Sequence, residues 1–355
     1  VPAALLLVKP LVRGRFSGQL PAVMANRKLG CLSIFLFVAL CASVAFNMIM
    51  VIAAFGRLGG TVVHQQSPPR FREIILDRGD RDKIAVIALR GVISSSIPGD
   101  IGESMVEDLR FALEQAREDD NVRAIVLEID SPGGEVTASD VIYNAVVKTR
   151  AKKPVVVYMQ SVAASGGYYV ACGGKFLMAN DTTITGSIGV IIQTLNYEQL
   201  FNKVGLASVV FKSGKFKDML NGARPITPEE REYVQGFVMG TYDKFLGIVA
   251  KERNLPADHL RNTVADGRIL SGTDAHANKL IDGLGQVEDA YDKARDLANA
   301  RGATVVRYAA PFGFSRLFRA LGESARSKIE ITLPKELMPQ LESGRAYFLP
   351  SYYAP

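Results

Sequence analysis

Ala124-Ile-Val-Leu-Glu-Ile-Asp-Ser-Pro-Gly-Gly134 is the stretch that decides the fold. From Ala124 to Ile129 only Glu128 is polar, and polar and apolar positions do not alternate. A strand with one wet face alternates, whereas a continuous apolar run suits a strand covered on both faces, as in a parallel sheet. Asp130-Ser-Pro-Gly-Gly134 then breaks the run. A glycine pair just past a buried parallel strand lets backbone N–H groups approach a ligand unobstructed, and such groups can stabilise an oxyanion. An ordinary strand-to-helix turn also uses Pro and Gly, so the turn alone is weak evidence.

Two similar runs flank this one, Ile84–Leu89 and Val155–Met159, with Pro154 marking the start of the latter. Helical patterns lie between them, at about 103–118 and 138–150. Strand–helix alternation of this kind predicts parallel βαβ units and an α/β fold. Phe176–Ala179 and Ala207–Phe211 read as further strands, with a helix over Asn196–Val204 between them. Thr227-Pro-Glu-Glu230 combines a capping threonine, a proline in the first turn and a glutamate three residues after the cap, which predicts a helix running to about Arg253. Helices near 272–279 and 287–299 complete the compact part.

The net charge of +6 is unevenly placed. Residues 1–72 hold eight Lys/Arg and no acid, so the basicity belongs to the N-terminal arm. The body shows no nucleic-acid motif. Leu29–Phe55 is 27 residues without a charge. As a helix it would measure about 40 Å, more than the roughly 30 Å hydrocarbon core. It is expected to be one transmembrane anchor. Lys9, Arg13, Arg15, Arg27 and Lys28 precede it, which favours a cytoplasmic N-terminus and a body outside the cytoplasm. The expected organisation is a basic segment 1–28, an anchor 29–55, a linker 56–79, a folded body 80–308 and a tail 309–355. Met24 would begin a more usual anchor than Val1. Pro311–Lys328 mixes Phe312, Phe314, Leu317, Phe318 and Leu321 with arginines, so an amphipathic helix is expected there. Cys172 is alone in the body, and no Cys/His spacing suits a metal, so neither a disulfide framework nor a metal or other cofactor is expected.

The chemistry rests on two further blocks. Ala163-Ala-Ser-Gly-Gly-Tyr-Tyr169 places Ser165 where a helix should begin, with glycines that leave room for a substrate backbone. A plain helix cap would explain the serine equally well when it is read alone. Lys212-Ser-Gly-Lys-Phe-Lys-Asp218 offers three lysines. The chain has three histidines, none near either block, so a Ser-His-Asp arrangement has little to build on. A neutral lysine can serve as the base instead. Bringing its pKa from about 10.4 to near 7 requires roughly 4–5 kcal/mol of ammonium destabilisation. Spacing alone does not choose among Lys212, Lys215 and Lys217.

Asp130-Ser-Pro-Gly-Gly-Glu-Val136, the Ser165 block, Thr185-Gly-Ser-Ile-Gly-Val190, the lysine block and Ala265-Asp-Gly-Arg268, in that order, resemble the signal peptide peptidase A family of serine peptidases. The resemblance covers roughly residues 80–308. It implies a crotonase/Clp-protease-like ββα superhelix and a membrane-anchored Ser-Lys dyad that degrades leftover signal peptides. It implies Ser165 as nucleophile, Lys217 as base, Ser187 as the serine that hydrogen-bonds the lysine, and Gly134 as backbone oxyanion donor. The family's long members carry two tandem units, and this chain has one. The short form assembles into a ring-like dome, so the resemblance suggests a homo-octamer in which serine and lysine meet across a protomer boundary. A location in the bacterial inner membrane, with the body in the periplasm, follows from the same resemblance. Two rival readings use the same residues. A crotonase-type acyl-CoA enzyme would draw on Glu128 and Glu135 for proton transfer. A membrane-tethered scaffold would hold apolar peptides in a dead site.

Overall fold

The computed structural model describes residues 36–50, 71–95, 105–309 and the backbone of 347–348. They fall into two units divided between Ser67 and Pro68. In the first, residues 36–50 form helix α1, with Phe37, Leu40, Phe46 and Ile49 exposed. Among the described residues no helix is long and apolar enough to cross a membrane. The expected span 29–55 runs past α1 on both sides, outside the described residues, as do the basic segment 1–28 and most of the tail.

The second unit begins with strands β1 (Arg72–Asp77) and β2 (Asp80–Arg90), then α2 (Met105–Glu118), β3 (Val122–Ser131), β4 (Gly134–Glu135) and α3 (Val136–Arg150). β5 (Val155–Ala164) leads into α4 (Gly166–Ala171), followed by β6 (Phe176–Ala179), β7 (Ile184–Gly186) and α5 (Glu198–Lys203). The long α6 (Pro228–Arg253) and α7 (Ala257–Thr263) precede β8 (Ile269–Ser271), α8 (Gly272–Ala277), β9 (Gly283–Leu284) and α9 (Val287–Leu297). β10 (Ala303–Ala309) and β11 (Tyr347–Phe348) complete the described elements.

The sheet runs β1-β10-β2-β3-β5-β6-β9, with β7 on β5 and β8 on β7. The pairs from β10 through β2, β3, β5 and β6 to β9 are parallel, while β1 and β8 run antiparallel at the margins. The continuous apolar runs now have their physical reason. Ile125, Leu127 and Ile129 enter one core with α2, α3 and α4. Ala124 and Val126 enter a second core closed by Ala290 and Ala294 of α9. Both faces of the strand are dry, so alternation would have been wrong.

β5 forks. Its first half pairs with β6 (Val156↔Phe176 to Met159↔Ala179) and its second half with β7 (Val162↔Ile184 to Ala164↔Gly186). The chain therefore leaves the main sheet while still hydrogen-bonded, and Ser165 emerges where β3, β5 and β7 meet.

Two expectations are corrected. Arg72–Asp77, placed in the linker, is an edge strand on β10, so the body begins earlier than residue 80. Ala207–Phe211 is not a strand. Its Val-Val-Phe composition favours extension, but it pairs with no strand among the described residues, and Val209, Val210 and Phe211 are exposed. The capping box of α6 is present as expected, with Thr227 accepting from the Glu230 N–H and Glu230 accepting from the Thr227 N–H.

Candidate active site

Ser165 sits between β5 and α4 with φ 53°, a left-handed conformation that costs a non-glycine residue about 1–3 kcal/mol. Its backbone is held on both sides. Its N–H donates to the Gly186 carbonyl at 2.8 Å, and its carbonyl accepts from the Tyr169 N–H at 2.8 Å. Its hydroxyl does not cap the helix. Ser165 is fully buried, and Oγ has no hydrogen-bond partner among the described residues. A strained backbone presenting an unengaged hydroxyl is poorly explained by a structural role.

Gly133, at φ 104°, makes the turn that aims β4. The Gly133 carbonyl accepts from the Ile93 N–H and the Glu135 N–H donates to the Ile93 carbonyl, each at 2.8 Å. Because strand groups alternate in direction, the N–H and C=O of Gly134 face the opposite edge. That edge takes β11 antiparallel, with Phe348 opposite Gly134. A methyl group on Gly134 would overlap the Ile93 carbonyl oxygen, which makes glycine obligatory. A methyl on Gly166 would lie 3.1 Å from the Gly134 nitrogen and 2.6 Å from Ser139 Oγ, so the residue after Ser165 abuts the Gly134 N–H.

Ser187 is the third member of this cluster. Since Ala164 pairs with Gly186, Ser187 is one residue on from the pairing partner of Ser165's neighbour. It is buried, also has positive φ (49°), and its N–H donates to the Arg268 carbonyl at 2.8 Å. This gives Ala265-Asp-Gly-Arg268 a role. It delivers β8 against β7 and fixes the backbone of Ser187, while Asp266 pairs with Arg268 at 2.6 Å and the Ala265 carbonyl accepts from Tyr242 at 2.6 Å.

The structure thus brings Ser165, Gly134 and Ser187 together, but it leaves Lys217 unbonded to Ser165. Lys217 is exposed. The three lysines nevertheless separate. Lys212 donates to Asp218 at 2.6 Å and Lys215 pairs with Glu229, whereas Lys217 makes no side-chain hydrogen bond or ion pair among the described residues. Arg224 also holds Asp218, at 2.8 and 2.9 Å. Arg224 first and Lys212 second keep the Asp218 carboxyl well below the usual carboxylate range. Sequence reasoning missed Arg224, although an arginine shortly before a capping box was visible.

The carboxylates required by the acyl-CoA reading are committed elsewhere. Buried Glu128 accepts from Tyr291 (2.9 Å), Arg307 (3.0 and 3.2 Å) and Gln160 (3.1 Å) on the α9 side of the sheet. Glu135 accepts from Ser94 and Ser95. His259 and His276 are exposed, and burial pushes the Cys172 thiol up to about 12, which leaves it inert. The described residues contain no cluster of metal-ligating groups.

The family model for peptidase family S49 matches residues 147–301, which hold Ser165, Ser187 and Lys217. The Clp protease model matches residues 86–187, the parallel heart of the sheet, so the fold is a mixed α/β, Clp protease-like one. A protein of Enterococcus faecium, named as a signal peptide peptidase SppA, is 36% identical over 66% of this chain and 70% of its own length. A protein of Synechocystis sp., named as a protease, is 39% identical over 61% of the chain and 75% of its own length. Serine protease SPPA, chloroplastic, of Arabidopsis thaliana is 36% identical over 62% of the chain, a match that spans 33% of that longer protein. Likeness of this extent takes in the β5 fork, its serine and the lysine segment together, and on it the chain belongs to peptidase family S49, as a serine peptidase.

Proposed function

We propose that this chain is a membrane-anchored endopeptidase in which Ser165 is the nucleophile and Lys217, supplied by a neighbouring copy, is the base. The observation that carries the proposal is the buried Ser165 hydroxyl, unpartnered among the described residues, at a strained backbone position beside the Gly134 edge that β11 lines. An unbonded hydroxyl and an unpaired lysine in the same chain are two halves of a dyad that one protomer leaves open. Exposed Leu195, Val209, Phe211 and Phe237 on the outward segments around Lys217 supply the apolar surface that an interface between copies would bury. A closed ring such as an octamer follows if each copy offers its lysine segment to the next.

In the reaction, neutral Lys217 takes the Ser165 proton as Oγ bonds to the peptide carbonyl carbon. The resulting oxyanion accepts from the Gly134 N–H and a neighbouring backbone donor. The tetrahedral species collapses to an acyl-enzyme, the amine leaving with the proton that Lys217 returns. Water then attacks the acyl-enzyme with Lys217 again as base, and Ser187 orients the amine. The substrate lies extended along the β4 edge, as 347–348 does, which suits short apolar peptides such as cleaved signal peptides. The uncharged stretch 29–55 and the basic residues before it support an inner-membrane anchor with the body in the periplasm.

The test is labelling of the detergent-solubilised protein by a serine-reactive acylating probe. Wild type is expected to label and hydrolyse peptides. Ser165→Ala loses both, and Lys217→Ala loses at least 10³-fold in rate, roughly the scale of removing an activating base. Undiminished hydrolysis by Lys217→Ala would remove the dyad. A wild type that binds peptides without labelling would favour the scaffold reading.

A further inference from the structure

We infer that Arg224 is a positioning residue for the base: it fastens the segment carrying Lys217 to α6 and cancels the charge of Asp218 beside it. This rests on the reading of Lys217 as the base. A lysine that must shed its proton near neutrality is badly served by a carboxylate in the next residue, because a nearby negative charge favours the ammonium form. The structure takes that carboxylate out of play.

The guanidinium forks. Toward the lysine segment, Arg224 Nε donates to Asp218 Oδ2 at 2.9 Å, and Nη2 donates to Asp218 Oδ1 at 2.8 Å and to the Asp218 carbonyl at 3.1 Å. Toward α6, Nη1 donates to Glu230 Oε2 at 2.9 Å and Nη2 to Oε1 at 2.5 Å. Glu230 is itself buried and locked in the capping box. The residue next to Lys217 is thereby tied, through one planar group, to the first turn of a 26-residue helix. Planar two-sided donation of this kind is beyond a lysine.

The charged groups around the segment balance. Asp218 and Glu230 face Arg224 and Lys212, and Glu229 of α6 faces Lys215. The other group that α6 packs here is Tyr233, whose ring stacks on Phe216 at 5.4 Å. Among the described residues, Lys217 is the lysine of this segment left without a counter-ion. Deleting the guanidinium leaves one uncompensated negative charge near the amine.

The experiment measures kcat/KM against pH on the full-length, detergent-solubilised protein with a fluorogenic apolar peptide amide. Thermal melting and oligomer mass serve as controls. Arg224→Gln is expected to move the rising alkaline limb upward by about half to one pH unit, and so to lower the rate roughly 3–10-fold below the limb while approaching wild type above it. Arg224→Gln combined with Asp218→Asn is expected to bring the limb back, which a purely structural arginine would not allow. If Arg224→Gln does not assemble, Asp218→Asn alone decides, since its limb should move toward acid. The inference is overturned if Arg224→Gln lowers the rate equally at every pH, if the double substitution leaves the limb displaced, or if the Asp218→Asn limb stays in place. Full activity in Lys217→Ala, or a wild type without a rising limb, would instead bring down the base assignment.

Discussion

The glycine after Ser165 works by what it excludes. Gly166 leaves a gap that a single methyl would fill, against Ser139 Oγ and the Gly134 nitrogen. Ser139 cannot simply rotate away, because its hydroxyl is engaged with the Glu135 carbonyl at 2.8 Å. Gly166→Ala should therefore displace Gly134, the proposed oxyanion donor, while the core stays closed. The expected outcome is a loss of about 10²–10³-fold in kcat/KM, the scale of losing one oxyanion donor, with a melting temperature within a few degrees of wild type. Steady-state kinetics beside a thermal melt checks it, and a melt lowered in proportion to activity would contradict it. At this scale the sequence was partly legible. Ser165 stood out because a Ser-Gly-Gly run followed a buried strand. Ser187 did not, because its place depends on the β5–β7 register, and the resemblance alone singled it out. The choice among three lysines was illegible from spacing, since Asp218 at the end of the block lies within reach of any of them in sequence, and the carboxylate that occupies Lys215 comes from α6.

Among the elements, α6 and the segment before it form one electrostatic unit. Arg224, followed by the Thr227 N–H, holds the Glu230 carboxyl down at about 2, and Asp218 is depressed by the same guanidinium. A carboxylate whose folded pKa is depressed contributes stability that is present above its unfolded value near 4 and is lost as pH falls through the folded value. Hydrogen exchange over 212–230, corrected for intrinsic rates, should accelerate between about pH 4 and pH 2 ahead of the sheet strands. Unchanged protection at pH 2 would show that the pairing contributes nothing. The C-terminal half of α6 should hold longer, since Phe245, Leu246 and Val249 are buried and Glu252 accepts from Tyr143 and Arg150, each at 2.8 Å. The helix and its cap were readable because capping is local chemistry within four residues. The β5 fork was not, because a run dry on both faces looks the same whichever neighbour it pairs with. Arg72–Asp77 was passed over because its Ile-Ile-Leu centre is short, flanked by charge, and becomes a strand only against residues 305–309.

For the whole molecule, the parallel core was legible in continuous apolar runs, and the outward apolar segments explain why Ala207–Phe211 misled. Valines and a phenylalanine that suit a strand are also what an interface between copies buries. Exposed Phe211 and the unpaired amine of Lys217 have a consequence for genetics in a test tube. If each cutting centre is stitched from two chains, then Ser165→Ala and Lys217→Ala, dead separately, should revive one another when unfolded together and reassembled as equals. Random neighbours would restore about a quarter of the centres. Silence from that mixture, with assembly intact, would mean that every chain must complete its own.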